Sequence, residues 1–321
     1  MREFQRPRVF CSKCLGFARC RWNGDVITDA LVQSLKECVD FFTACPEYEI
    51  GLGVPRDPVR IVSLDGEFRL MQLNTKRDVT SEMRDFTEKC LDGVGEVDGF
   101  ILKDRSPSCG IKDVKVYAGL EPGPVIMKAN GFFASGVMDR FSETAVETEG
   151  RLSNFNLREH FLIRVYTSAE FRKVRKSQSM GALVDFHARN KFLFMATSQK
   201  ETRILGNIVA NHERLFTDRV FDEYGHHLAL ALAKPAKYSA NINVLMHGLG
   251  YFSDGLNARE KAYFLNTLEE YRREQVPLSV PLRILREFIV RFENSYLDNQ
   301  TFFEPFPHDL VAVRDSGKTR V

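Results

Sequence analysis

The hydrophobic pattern of this sequence changes near residue 154, and that change limits the available folds more than any other feature. Before it, short apolar runs at residues 8–11, 61–64 and 99–102 read as buried strands, and residues 79–91 have the spacing of a helix. Alternation of strands with helices is typical of an α/β layer on a mostly parallel sheet. We therefore predict a Rossmann-like or flavodoxin-like layer in the first half of the chain.

Beyond residue 154 the apolar residues recur three and four positions apart, which predicts a series of amphipathic helices. The residues with this spacing are Leu183, Phe186, Leu193, Phe194, Phe216, Val220, Tyr224, Leu228 and Leu232. Two more helices are expected near residues 256–275 and 280–297. The second half therefore reads as an all-α bundle of roughly six helices.

The two patterns divide the chain into three predicted parts. Residues 1–150 form the α/β domain, residues 151–178 a connecting helical segment, and residues 179–321 an all-helical domain. No stretch approaches the roughly 18 uninterrupted apolar residues of a membrane helix, and the first residues lack the apolar run of a signal peptide. We expect a soluble, cytoplasmic protein that does not contact a membrane.

Two local signals refine the first half. Asp25 is a candidate N-cap for a helix whose apolar residues follow at helical spacing. These residues are Ile27, Leu31, Leu35, Val39 and Phe42. Asp65 and Gly66 separate two apolar runs and predict a hairpin turn.

All seven cysteines lie in the first 110 residues. They are Cys11, Cys14, Cys20, Cys38, Cys45, Cys90 and Cys109. An odd number of thiols in a protein without a signal peptide argues against a disulfide framework and for metal binding, catalysis or simple burial. The cysteines are therefore the first lead to a function.

Cys11 and Cys14 form a CxxC pair, but no second CxxC or HxxxH pair completes a structural zinc site. Leu15-Gly16 interrupts the helix that a thioredoxin-like motif should open. Cys14, Cys45 and Cys109 form a better group, because each stands close to a Gly or Pro where the backbone can turn sharply. Three thiolates around one cavity suit a [4Fe–4S] cluster with one open iron, and buried inert thiols are the alternative.

The remaining cysteines have structural interpretations. Cys38 shares the predicted helical face with Leu35 and Phe42, and Cys90 ends a predicted helix, so both are expected in the core. For Cys11 and Cys20 a structural role is favoured, and their function stays open.

Five segments of the first half, all in order, resemble the thiouracil desulfidase (TudS) family over approximately residues 5–150. They are Ser-Lys-Cys-Leu-Gly at residues 12–16, Arg-Trp-Asn-Gly at 21–24, Cys-Pro-Glu at 45–47, Gly-Leu-Gly-Val-Pro-Arg at 51–56, and Lys-Asp-Arg-Ser-Pro-Ser-Cys-Gly at 103–110. The resemblance implies a [4Fe–4S] cluster held by Cys14, Cys45 and Cys109. It also implies that Glu47 and Ser106 are the catalytic groups that do not bind the cluster.

This resemblance leads to a hypothesis for the chemistry. An open iron is a Lewis acid that would bind and polarise a soft thiocarbonyl sulfur, water would attack the ring carbon, and the sulfur would depart from the cluster as hydrogen sulfide. Glu47 would act as general base for the water or as general acid at the ring nitrogen, and Ser106 would hydrogen-bond the substrate or the water. Without the resemblance, Glu47 reads as a carboxylate capping a turn and Ser106 as a turn residue before Pro107.

The second half resembles the helical YbgA-type module through residues 183–191 and 246–252. The fusion of the two modules resembles the RudS-type desulfidases, which implies tRNA containing 4-thiouridine as substrate and RNA binding by the helical module. Residues 151–321 hold 25 basic and 19 acidic residues, against 20 and 24 in residues 1–150. This surplus is compatible with a polyanionic partner, and also with a solvated helix surface.

Basic residues are the predicted tRNA contacts, because they neutralise phosphates. The candidates are Arg172, Lys173, Arg175, Lys176, Arg189, Lys191 and Lys200. His187 and His247 are candidate ligands or bases, but a single histidine on a helix is more often a structural residue.

Two other functions remain open at this point. The first is desulfuration of free thiouracil or thiouridine nucleotides, with a helical half that serves stability or dimerisation. The second is a non-catalytic iron–sulfur protein that binds RNA or acts as a sensor, whose cluster has a fourth protein ligand such as Cys11 or Cys20. The sequence leaves the choice between monomer and homodimer open.

Overall fold

A computed structural model describes residues 2–121, 123–212 and 216–311 of the chain. Its strands are β1 (Arg8–Ser12), β2 (Asp40–Ala44), β3 (Val59–Leu64), β4 (Glu67–Gln72), β5 (Gly99–Leu102), β6 (Val114–Tyr117), β7 (Val125–Ala129) and β8 (Ala145–Thr148). Three helices lie among these strands, α1 (Ala30–Leu35), α2 (Thr80–Val94) and α3 (Phe132–Arg140). The first half is therefore an α/β unit, as predicted.

Four parallel strands form the first sheet, in the order β2-β1-β5-β8. β1 is central, and Val9 lies opposite both Phe41 of β2 and Gly99 of β5. When the four strands of this sheet are numbered along the chain, their order across the sheet is 2-1-3-4. This is the order of the first four strands in a flavodoxin-like sheet. The predicted parallel layer is confirmed.

The second sheet has the order β4-β3-β6-β7 and mixes parallel with antiparallel pairs. β3 and β4 form the hairpin predicted at Asp65-Gly66, and both turn residues have positive φ, 52° and 81°. A two-residue turn of this kind matches the twist of the strands that it joins. The sequence pattern predicted this hairpin but not the sheet around it.

The helix predicted behind Asp25 is shorter than expected, and this prediction was wrong in its extent. α1 is capped by Asp29, whose Oδ1 accepts from the Val32 amide at 2.9 Å. Phe42 belongs instead to β2, where it pairs with Phe10 of β1. Pairing with the central strand outweighs the helical spacing of the apolar residues, because it gives the backbone of this segment its hydrogen bonds. Cys38 consequently lies in the turn before β2 and not on a helical face.

α2 contributes to two apolar cores of the α/β unit. Leu91 and Val94 belong to a core with Phe10, Phe100 and Phe133. The Phe10 ring lies 5.2 Å from that of Phe133 and 5.5 Å from that of Phe100, so side chains from β1, β5 and α3 pack together. The other end of α2 contributes Met83 to the core beneath the second sheet. This packing fixes the sheet from which the cysteine loops emerge.

The first turn of α3 holds the loop that follows β5. The amides of Phe132 and Ala134 donate to the carbonyls of Pro107 and Ser108 at 3.1 and 3.0 Å, and the Gly131 amide donates to Gly110 at 2.8 Å. Amides at the start of a helix have no partner within the helix, so the loop satisfies them. The backbone on either side of Cys109 is fixed in this way.

The second half is helical, as predicted. The helices found there are α4 (Phe155–Ser177), α5 (Met180–Thr197), α6 (Gln199–Ala210), α7 (Thr217–Ala231), α8 (Tyr238–Gly250), α9 (Ala258–Arg272), α10 (Ser279–Arg291) and α11 (Ser295–Asp298). α9 and α10 correspond to the two helices expected after residue 255. Most of the apolar residues that predicted this half are buried, but Phe216 precedes α7 and is 90% exposed.

The described residues form two compact units, one of residues 2–169 with 309–311 and one of Glu170–His308. The division falls within α4, inside the segment 151–178 that the sequence marks as a connection. Among the described helices, none has the combination of length and apolar content needed to cross a membrane.

Replacement of Gly131 by alanine is expected to disturb the Cys109 loop. The added Cβ would lie 2.5 Å from the Ser108 carbonyl and 2.8 Å from the Pro107 carbonyl oxygen, where only backbone can yield. We expect Gly131→Ala to lower the free energy of unfolding by about 1–3 kcal/mol, measured by urea denaturation. Gly93→Ala is the control, because its Cβ meets no atom within 4 Å and alanine inside α2 should stabilise by roughly 0.5–1 kcal/mol. Equal effects of the two changes would contradict this account of the loop.

Candidate active site

A cavity of about 380 Å³ lies at the carboxyl ends of β1, β2 and β5. Its wall includes Cys14 after β1, Cys45 after β2 and Cys109 after β5, all three buried. The carboxyl ends of parallel strands share one edge of a sheet, which explains why residues so distant in sequence meet there. The structure thus brings together the three cysteines that the sequence grouped.

Cys20 lines the same cavity and is a fourth thiol of the site. A hydrogen bond to Cys14 raises the pKa of Cys20 to about 11. The Cys45 thiol donates to Cys20, and this hydrogen bond is the largest cause, with burial second, that raises the pKa of Cys45 well above its ordinary value. Burial alone is the main cause that raises the pKa of Cys109. These thiols are therefore neutral at physiological pH unless a cation stabilises their thiolates.

The other cysteines are not part of the cavity wall. Cys11 is fully buried within β1, and burial raises the pKa of its thiol. Cys38 donates a hydrogen bond to the Leu35 carbonyl at 3.6 Å in the turn after α1, and Cys90 lies half-buried in α2.

Glu47 forms a buried ion pair with Arg56 at the wall of the cavity. The Arg56 Nε and Nη2 atoms donate to Glu47 Oε2 at 3.0 and 2.7 Å. The Arg56 side chain is only 3% exposed and that of Glu47 only 12%. Nη1 of the same guanidinium donates to the Cys20 and Gly53 carbonyls at 2.9 and 3.1 Å. Arg56 therefore fixes the carboxylate and the loops that carry Cys20 and Gly53.

The second oxygen of Glu47 faces two serines of the Cys109 loop. Oε1 lies 3.4 Å from Ser106 Oγ and 3.1 Å from Ser108 Oγ, and both hydroxyls donate to it. Ser106 Oγ in turn accepts from the amides of Ser108 and Cys109 at 3.2 Å. The predicted catalytic pair, Glu47 and Ser106, is thus in contact and is joined through Ser106 to the backbone of Cys109.

Sequence reasoning missed two residues of this network, Arg56 and Ser108. Arg56 ends the segment 51–56, so a signal was present in its motif, but nothing in the sequence shows that it pairs with Glu47. Ser108 is fully buried next to Cys109, and its position in the serine-rich segment was the only sequence signal for it. Both roles depend on contacts between loops that follow different strands.

The three cysteines are placed as separate ligands around one cavity. Within the described part of the chain, no three His, Cys, Asp or Glu side chains are grouped to hold one metal ion. An iron–sulfur cluster makes a different demand, because each thiolate binds a separate iron and the ligands surround a larger body. Three buried thiols around one cavity meet that demand.

The predicted tRNA contacts lie on α4, α5 and the start of α6. Arg175 forms an ion pair with Asp222, and Arg189 one with Glu170 at 2.8 Å. Lys200 lies 3.7 Å from Glu201 but is 83% exposed. Lys173, Lys176 and Lys191 are also exposed, and Arg172 is half-buried.

The two histidines are placed differently. His187 is half-buried, its Nδ1 lies 3.1 Å from the Tyr224 hydroxyl, and burial lowers the pKa of its ring to about 4. His247 is exposed on α8 with its ring beside Phe192 and Tyr251. The surroundings of His187 are those of a structural residue.

Two family models match separate parts of the chain. A model described as 2-thiouracil desulfurase matches residues 9–149. A model described as a protein of unknown function, DUF1722, matches residues 191–307. Every cavity residue named above falls in the first match, and the second lies within the helical half.

Individual proteins are similar to the same two parts. The uncharacterized protein YbgA of Escherichia coli (strain K12) is 32% identical over 158 residues, which cover 49% of this chain and 93% of YbgA. The uncharacterized protein YbbK of Bacillus subtilis (strain 168) is 32% identical over 111 residues, covering 32% of this chain and 72% of YbbK. The solved [4Fe–4S]-dependent thiouracil desulfidase TudS is 26% identical, with a TM-score of 0.38, over 46% of this chain and 93% of TudS.

Removal of Arg56 is expected to destabilise the protein through the charge left on Glu47. Breaking a buried ion pair leaves one charge without compensation, so Arg56→Met should lower the free energy of unfolding by about 3–5 kcal/mol in urea denaturation. Adding Glu47→Gln removes that charge and should restore at least about 1 kcal/mol. Strictly additive effects of the two changes would mean that the pair does not couple the residues.

Proposed function

Through its first unit this chain belongs to the 2-thiouracil desulfurase family, and through its helical unit to the family of YbgA; from this premise we propose that it converts 4-thiouridine in tRNA to uridine. One water enters and one hydrogen sulfide leaves, so the conversion needs no net oxidant or reductant. The observation that carries the proposal is the convergence of three cysteine thiols and the Glu47 carboxylate on one cavity.

The proposed cofactor is a [4Fe–4S] cluster, the group on which the solved relative TudS depends. Cys14, Cys45 and Cys109 would hold it. Their position supports this, because three buried thiols line one cavity and each can bind a separate iron as a thiolate. When bound, the cluster supplies a Lewis-acidic iron with affinity for the soft sulfur of a thiocarbonyl group.

Glu47 is the proposed proton-transfer group. Arg56 holds its Oε2 atom with two donors, so Oε1 is the oxygen that remains for exchange of a proton with water or with the ring nitrogen.

Ser106 is proposed to orient the reactants beside that oxygen, because it lines the cavity and its hydroxyl can turn from Oε1 to a water or the pyrimidine. Ser108 is fully buried and does not line the cavity, so its hydroxyl would hold Oε1 in place. Ser106 Oγ also accepts from the Cys109 amide, so the position of this hydroxyl is coupled to that of the Cys109 loop.

The proposal that tRNA is the substrate rests on the helical unit. Its candidate contacts Lys173 and Lys191 are exposed, so their ammonium groups are accessible to phosphates. Three other candidates, Arg175, Arg189 and Lys200, lie in ion pairs with carboxylates, and their share in RNA binding would be smaller.

Two alternatives are kept because particular observations favour each. The cavity is large enough for a nucleotide base, so free thiouracil or thiouridine nucleotides are alternative substrates. Cys20 lies beside Cys14 and Cys45, so a cluster with four protein ligands and a sensing or RNA-binding role is the other alternative.

Substitution of the cysteines separates a cluster with an open iron from one with four ligands. Cys14→Ala, Cys45→Ala and Cys109→Ala should each prevent retention of the cluster, because each removes one of three ligands. Cys20→Ala should retain it. The measurement is iron and sulfide content with the visible absorbance after anaerobic reconstitution, and Cys38→Ala is the control outside the cavity. Loss of iron from the Cys20 variant would favour the sensor alternative.

The function itself is tested by incubating the reconstituted protein with thiolated bulk tRNA and, separately, with 4-thiouridine monophosphate. We expect loss of the thiouridine absorbance and release of sulfide with tRNA. Glu47→Ala should abolish both signals while the cluster absorbance stays unchanged, because it removes the proton-transfer group and no cluster ligand. Activity on the nucleotide alone would reject tRNA as the substrate, and activity on neither would reject the desulfidase.

Charge reversal tests the contribution of the helical unit in the same assay. Lys173→Glu with Lys191→Glu should weaken tRNA binding and reduce its salt dependence, while activity on the nucleotide stays the same. Lys89→Glu with Lys115→Glu makes an equal change of charge at exposed positions of the first unit. Unchanged tRNA affinity in the first double variant would count against these contacts.

A further inference from the structure

Trp22 is the only tryptophan of the chain, and it stands at the wall of the candidate active site. Its side chain is 47% exposed, although the thiols of the same cavity are buried. An indole in this position contributes little to a core, but it offers a flat apolar surface to a molecule that enters the cavity.

The backbone around Trp22 is fixed by hydrogen bonds within the α/β unit. The Arg56 amide donates to the Trp22 carbonyl at 2.8 Å, and the Gly24 amide donates to the Arg21 carbonyl at 3.0 Å. Gly24 has a φ of 79°, which closes the turn, and the Asp25 amide donates to Asn23 Oδ1 at 3.2 Å. A surface that is already ordered loses little entropy when it binds a ligand.

Arg21 supplies a positive charge at the same cavity wall. It lines the cavity, and within the described residues it forms no ion pair. Other cations of the wall do have partners, since Lys103 pairs with Glu149 and Lys13 lies 3.5 Å from Glu49. Arg21 therefore has its guanidinium available for an anion, and a phosphate suits its paired donors.

We propose that Trp22 and Arg21 form a nucleotide clamp at the cavity, in which the indole stacks on the pyrimidine and the guanidinium binds the 5′-phosphate of the same nucleotide. The inference rests on the proposed function and adds which two side chains of the cavity wall position the nucleotide. That unit occurs both as a free nucleotide and within an RNA chain. Stacking tolerates any base, so the clamp positions the nucleotide and leaves recognition of sulfur to the site beneath it.

Fluorescence gives a direct test, because all tryptophan emission of the chain comes from Trp22. Uridine 5′-monophosphate and a short uridine-containing oligoribonucleotide are titrated separately into the cluster-loaded protein. Both should quench the emission saturably, and tighter quenching by the oligonucleotide would identify an RNA chain as the source of the nucleotide. Absence of quenching by both probes would overturn the clamp.

Variants assign the effect to the two side chains, with calorimetry as the measure of affinity. Trp22→Leu should weaken binding of uridine 5′-monophosphate about tenfold, as loss of a stacking contact does, and Trp22→Phe should recover most of it. Arg21→Gln should reduce the affinity for the monophosphate to that for uridine. Phe42→Leu is the control, because Phe42 is a similarly exposed aromatic on β2 away from the cavity. Unchanged affinity in Trp22→Leu would overturn the proposal.

The two failures can be told apart. Quenching and binding require no turnover, so a protein that binds the monophosphate through Trp22 but releases no sulfide retains the clamp and loses the proposed function. A protein that releases sulfide from 4-thiouridine monophosphate with the same KM in Trp22→Leu retains the function and loses the clamp.

Discussion

The parallel pairing of β1 with β2 and β5 is the constraint on which the rest of the site depends. Since the three strands run in one direction, Cys14, Cys45 and Cys109 leave the sheet at the same edge. A slip of one residue in this register would turn each side chain of a strand to the opposite face, and the apolar core around Phe10 and Phe100 resists such a slip. The same core that stabilises the unit thereby fixes where the cysteines stand.

The buried Glu47–Arg56 pair at this edge of the sheet orients the site. Replacing a buried ion pair by apolar residues often leaves stability unchanged or raises it, so the pair is not explained by stability. Its effect is orientation, because Arg56 binds one carboxylate oxygen and the backbone of two loops, and the other oxygen is left facing Ser106 and Ser108. A fixed acceptor beside three thiols would suit the hydrolytic reaction that we propose.

Much of the fold could be predicted because its signals are local. The buried strands, the Asp65-Gly66 hairpin and the helical second half follow from periodicity and turn chemistry. α1 was predicted too long because the segment from Val39 has apolar residues compatible with either structure, and only pairing with β1 decides between them. Arg56 and Ser108 were missed for the same reason, since their partners come from other loops. The grouping of Cys14, Cys45 and Cys109 came from local backbone features and the family resemblance, whereas the place of Cys20 beside them is a consequence of the tertiary fold.

The charge distribution sets a physical condition on any polyanionic substrate. Residues 1–150 carry more acidic than basic residues, 24 against 20, so the part of the chain with the cavity has no net attraction for RNA. Attraction over distance would have to come from residues 151–321, with 25 basic against 19 acidic residues, and it would weaken with salt. At the cavity the field is local, and Arg21 contributes a cation without an ion pair in the described structure. If RNA is the substrate, attraction over distance therefore comes from the helical half, whereas the groups proposed for the reaction line the cavity of the first unit.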